Sequence, residues 1–167
     1  MRTAIARALT VLLLLAPAAC SEATPGVASP EAASGPIEAK VPVKFRPVVS
    51  QRAGTEASGP GELVGSDGNV YALGDPIGDF SRFKNVKAEL TSGGSWGVII
   101  DLVAEDQAAF GRWTTEHVGE SVAIVVGDKV ISAPQIASPI TEGSVQITGT
   151  YSEQDARKLA NQITGRS

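Results

Sequence analysis

The chain holds one histidine, His117, and one cysteine, Cys20, so the covalent and metal chemistry open to it is narrow. Catalytic and zinc sites gather several His, Cys or acidic side chains, and His117 has no such partner at ligand spacing. A lone cysteine excludes an intrachain disulfide and any cysteine-rich metal site. Asp101 stands in an apolar run where a carboxylate could be perturbed, although such a residue more often faces solvent or ties down a loop. Ser132 and Ser138 have no G-x-S-x-G context and no base partner, and Gly127, Gly143 and Gly149 are separate turn glycines, not a phosphate loop. An enzyme therefore has the least support, and no cofactor or metal is expected. Surface is the better resource. The stretch from Ile131 to Ile140, with the turn Gly127-Asp128 beside it, is irregular and fixed by Pro134 and Pro139. It would present Ile131, Gln135, Ile136 and Ile140 to a partner at little ordering cost, unless the isoleucines only close the core. Trp96 and Trp113 read as packing aromatics.

Charge and leader say where such a surface would work. The 167 residues carry a net charge of −4 with no basic run, so nucleic acid is not an expected partner. Arg2 and Arg7 precede the apolar run ALTVLLLLA, Ala8 to Ala16. That run is shorter than the ~20 residues a membrane span needs, so residues 1–19 read as an export signal. The next residues, PAAC, resemble the bacterial lipoprotein box, with Pro17 where an aliphatic residue usually stands. The resemblance implies acylation of Cys20 (diacylglycerol and an N-linked chain such as palmitate) and a lipid bilayer as first partner. Two or more chains anchor firmly where one does not. Ordinary cleavage after Ala19, giving a secreted chain, is the alternative.

Residues 20–40 are rich in Pro, Ala, Ser and Gly without a periodic apolar face, which predicts a lipid anchor and flexible tether. Residues 41–85 read as extended segments and a polar loop. Val43, Phe45 and Val48 share one side of VPVKFRPVVS, but Pro42 and Pro47 place it at an edge or make it irregular. Regular structure is expected from Val86. VKAELT alternates with period two, WGVIIDLV is a buried strand, and Glu105 to His117 has helical spacing. SVAIVV, a Gly127-Asp128 turn of type II′ and Lys129 to Ile131 form a hairpin, followed by SVQIT. A last helix is capped by Ser152 and Asp155, buries Ala156, Leu159, Ala160 and Ile163, and stops at Gly165. This order predicts an α+β fold, a mostly antiparallel sheet with two helices on one face, over residues 86–167.

Several stretches in one order carry a resemblance to the SecD protein-export family. AIVV, KVISAP, PIT with Gly143, ITG at Ile147 to Gly149 and SEQDARKLA look like the head part of that family's first extracytoplasmic domain. FRPVVS at Phe45 to Ser50 and YALG at Tyr71 to Gly74 are similar to the segments that precede it. The turn order Gly127-Asp128 departs from the usual Asp-Gly, and the membrane helices of SecD have no counterpart here. The resemblance implies the binding half of a translocation machine without its motor. We therefore expect an extracytoplasmic, lipid-anchored binding or accessory module that contacts secreted polypeptide or translocon subunits. The alternative is a structural or interaction lipoprotein of the envelope unrelated to secretion.

Overall fold

A computed structural model of the chain describes residues 35–78 and 80–166; the expected signal peptide, Cys20 and most of the tether lie outside these residues. The elements are β1 (Ile37–Ala53), β2 (Glu62–Val64), β3 (Asn69–Leu73), β4 (Phe80–Leu90) and β5 (Trp96–Leu102), then α1 (Ala104–Glu116), β6 (Val122–Val126), β7 (Lys129–Ser132), β8 (Ser144–Tyr151) and α2 (Glu153–Thr164). All the strand ladders are antiparallel, in the order β7-β6-β1-β4-β5-β8 with β3 and β2 added to the far end of β1. The fold is α+β: a mostly antiparallel sheet with two helices on one face.

The strand β1 organises the sheet; its prolines do not keep it at an edge, but it is irregular, with register shifts between Glu38 and Val43 and between Val48 and Ser50. It pairs with β4 near Ile37, Glu38 and Val43, with β6 over Val43–Pro47, and with β3 from Val48 to Ala53. The prolines fall where an N–H is not required. Val48 N–H donates to Ser121 and Gly127 N–H to the Pro42 carbonyl, both at 2.9 Å, so even-numbered residues of β1 face β6. Pro47 is in the other phase and faces the segment after β3, where only its carbonyl is used, accepting from Gly74 N–H at 2.9 Å. Pro42 lies opposite the β6–β7 turn, beyond the last β1–β6 pair. A proline is excluded from a central strand only where the ladder needs its N–H.

Regular structure also begins well before Val86. Phe80 and Phe83 on β4 are buried, and with Phe45 of β1 and Phe110 of α1 they form the centre of the main core. Phe45 meets Phe80 edge-on at 4.6 Å between ring centroids, and Phe110 at 4.8 Å, geometries that aromatic quadrupoles favour. The helix α2 adds Ala156, Leu159, Ala160 and Ile163 to the same side. Its start carries both bonds of the Ser152–Asp155 capping box, and Gly165 ends it at φ 70°, a left-handed value that glycine adopts at no steric cost.

The other face has its own small core of Tyr71, Leu73, Ala123, Val125 and Val130. It exists because β6 is buried on both faces. From β6 the chain of pairings runs through β1, β3 and β2 and returns to β7 at a seam, where Gly65 bridges Val130 and Ser66 N–H donates to the Val130 carbonyl at 2.8 Å. Five strands thus close into a small barrel, which removes free edges there.

Candidate functional site

Among the described residues β8 forms a ladder on one side only, with β5. The β8 sequence SVQITGTY alternates, so Val145 and Ile147 are buried while Ser144, Gln146 and Thr148 are exposed. The main-chain phase follows from β5: Leu102 N–H donates to the Gly143 carbonyl at 2.7 Å, and Ile100 and Val98 stand opposite Val145 and Ile147. In an antiparallel ladder the intervening residues point the other way. The amides and carbonyls of Ser144 and Gln146 therefore face away from β5, where β8 has no partner strand. Gly97 lets the two strands approach, since a Cβ there would lie 2.8 Å from the Ile147 carbonyl oxygen. Between Ile147 and Tyr151 the register slips, and the strand bulges at Thr148–Thr150.

The sheet curls until β7 and β8, its two ends, come near each other without a ladder between them. On the side of the small barrel this leaves a groove of about 450 Å³, bordered by Ser132, Thr148, Thr150, Tyr151, Asp67 and Tyr71. On the helix side lies an apolar cavity of about 260 Å³, walled by Phe45, Phe110, Val122, Ile124, Ile140 and Val145; Pro134 borders both. Tyr71 Oη donates to Asp67 at 2.6 Å, and Asn69 braces the same carboxylate. Burial would raise the Asp67 pKa, but the bonds from Tyr71 and Asn69 together outweigh it and lower it, while burial and then Asp67 raise that of Tyr71. A larger, shallow depression of about 550 Å³ along α1 faces no free strand edge.

The expected contact residues do not form one surface. Gly127, at φ 63°, and Asp128 make the β6–β7 turn, whereas Gln135 lies at the opposite end of the hairpin, where it bridges Ser121. Five residues at about 3.3 Å each put roughly 16 Å between them. Ile136 is 2% exposed and belongs to the core, because its N–H and carbonyl are bonded to Glu120 and Gly119, which turns the side chain inward. Ile131 and Ile140 are half-buried against the same core, and Ile140 walls the cavity. Gln135 is exposed, its side chain donating to the Gly119 carbonyl at 2.8 Å. That an exposed edge could recruit extended polypeptide is legible from an antiparallel sheet, but which strand supplies it depends on pairings that SVQIT does not encode.

The residues weighed for chemistry take structural places. The His117 ring stacks on Trp113 at 4.1 Å, and its Nδ1 donates to the Trp113 carbonyl. Asp101 accepts from Ser144 Oγ at 2.5 Å, pinning the start of β8. Among the described residues no group of three or more His, Cys, Asp or Glu could hold a metal ion, and no helix is long and apolar enough to cross a membrane.

The pattern of the family described as SecDF, P1 head subdomain, matches residues 62–167. The chain belongs to the SecDF P1 head family. Similar relatives include the protein translocase subunit SecD of Acetobacter pasteurianus, 32% identical over 81% of this chain, and that of Dictyoglomus turgidum, 41% identical over 48%. This P1 head chain spans 27% and 20% of the length of those two relatives. Among solved structures, SecDF in its super-membrane-facing form superposes with a TM-score of 0.61 at 22% identity, covering 78% of this chain and 19% of that one. A structure of SecDF described as a membrane component that enhances protein export gives 0.59 at 21% identity, over 78% of this chain and 63% of that one. At these identities the structures speak to the fold, which is that of the P1 head.

Proposed function

We propose that this P1 head is an extracytoplasmic binding or accessory module for protein export, contacting secreted polypeptides or translocation subunits, and held at the membrane through acylated Cys20. The observation that carries the reading is the unpaired edge of β8 beside a groove. A polypeptide in transit is unfolded, and its main chain can add to such an edge whatever its sequence. Family membership supports the setting, since the matched relatives are translocase subunits. The lipid anchor rests on the PAAC sequence alone.

The test is in-cell photocrosslinking from a probe at Gln146, exposed on the free edge. Adducts with secreted precursors or translocon subunits are the expected result. Reproducible adducts with another envelope protein, and neither of those, would overturn the export reading in favour of a structural role.

A further inference from the structure

The gap between β7 and β8 differs in chemistry on its two sides. Toward the helices the wall is apolar: Phe45, Phe110, Val122, Ile124, Ile140 and Val145 surround about 260 Å³. Toward the small barrel it is mixed, the hydroxyls of Ser132, Thr148, Thr150, Tyr71 and Tyr151 and the Asp67 carboxylate sharing about 450 Å³ with Val130, Ile131 and Ala133. The straight part of the free edge, Ser144 to Ile147, runs beside the apolar cavity, and the bulged part runs beside the mixed groove.

A segment paired to this edge must be extended, and an extended segment sends successive side chains to opposite faces. Along Ser144 to Ile147 one set then meets the apolar cavity and the other faces water beside Ser144 and Gln146, with the hydroxyls of the groove following from Thr148 onward. We infer that the groove selects extended polypeptide whose residues alternate apolar and polar, bound through its main chain to the free edge of β8. The inference rests on the polypeptide-contact reading above and names the class of segment that satisfies it. A continuously apolar segment would press side chains against Ser132, Thr148 and Thr150 and take water from their hydroxyls, whereas Tyr71 and Asp67 keep each other as partners. A helical segment uses its own main-chain groups internally and has none to offer along the edge.

The test uses the full chain and three fluorescent peptides, followed by anisotropy. The first, Thr-Val-Ser-Ile-Thr-Val-Ser-Ile-Thr with terminal lysines for solubility, alternates. The second has the same composition with the apolar residues in one block. The third is the first with alternate amides N-methylated, which removes main-chain donors from one edge. Binding of the first at least tenfold tighter than the other two is expected. Equal affinity for the first two overturns the inference and leaves polypeptide contact standing. No binding of any peptide, with no polypeptide adducts from Gln146 in cells, overturns both. Self-association of the chain through β8 that the alternating peptide does not displace assigns the edge to a second copy and also overturns it.

Discussion

Thr114 is a polar residue buried in the main core, and its hydroxyl has two tasks. It donates to the Gly111 carbonyl at 3.2 Å and accepts from Ile140 N–H at 3.0 Å, fixing the proline-rich connection to α1. Valine fills nearly the same volume but leaves the Ile140 amide without an acceptor. Thr114→Val should therefore lower unfolding free energy by about 1–3 kcal/mol, the usual cost of a buried unsatisfied donor. Thr114→Ser, which keeps the hydroxyl, should lose less. Urea unfolding with an unchanged m-value would show it, and indistinguishable midpoints for valine and wild type would remove the assigned role. Glu62 poses a separate electrostatic case. The bond from Arg52 at 2.9 Å, then the amides of Ser58 and Gly59, hold its carboxyl down at about 2 from the ordinary 4.5. Its folded value is the lower one, so its contribution is complete above 4.5, declines as pH falls, and is gone below about 2. Amide shifts of Ser58 and Gly59 should titrate with a midpoint near 2, and Glu62→Gln should abolish that titration. A midpoint near 4.5 would show that the contacts do not persist in solution.

Among the elements, the seam that closes the small barrel depends on a close approach at Gly65. A Cβ there would lie 2.3 Å from Asp67 Oδ1 and 2.7 Å from Tyr71 Cε2, and 3.2 Å from the Asn69 carbonyl oxygen. Gly65→Ala should thus displace the Asp67–Tyr71 pair and loosen the bond from Ser66 to Val130. Hydrogen exchange at Ser66 should quicken at least tenfold while α2 amides keep their protection. Unchanged exchange at Ser66 would mean the seam yields without opening. The sequence disclosed most elements whose cause is local. The capping box, the turn glycine at 127 and the apolar run of β6 all match, because each needs only neighbours within a few residues. It hid β2, whose Glu-Leu-Val is too short to show a period. Of the two readings of β1, the edge failed, since Pro42 and Pro47 forbid a central strand only when their missing N–H groups fall on a ladder, and the irregular strand held. The candidate surface was least legible. The order of residues placed Gly127 and Gln135 close together, and the hairpin sends them to opposite ends.

At the scale of the molecule, the sheet joins the residues before Val86 to those after it, so the two parts should not fold separately. Among the described residues β6 and β7 form ladders only with each other and with β1, and β4 crosses residue 86 itself. A chain beginning at Val86 would lose Phe45, Phe80 and Phe83, all at most 1% exposed, and with them most of the aromatic centre that Phe110 packs against. It would also leave the β6–β7 hairpin with no strand beside it, and an isolated hairpin is marginally stable at best in water. Truncating a single buried Phe typically costs about 3–5 kcal/mol. Losing three together exceeds the lower part of the 5–15 kcal/mol or so that holds an ordinary domain folded. Residues 86–167 alone should consequently show no cooperative thermal transition by circular dichroism and a collapsed amide spectrum, whereas residues 35–167 should show a sharp transition and dispersed amides. Cooperative melting of the shorter chain within a few degrees of the longer one would mean that β1 decorates a sheet able to stand without it. The long pairing of β1 would then belong to the binding groove, whose cavity wall it supplies through Phe45, and not to the stability of the fold.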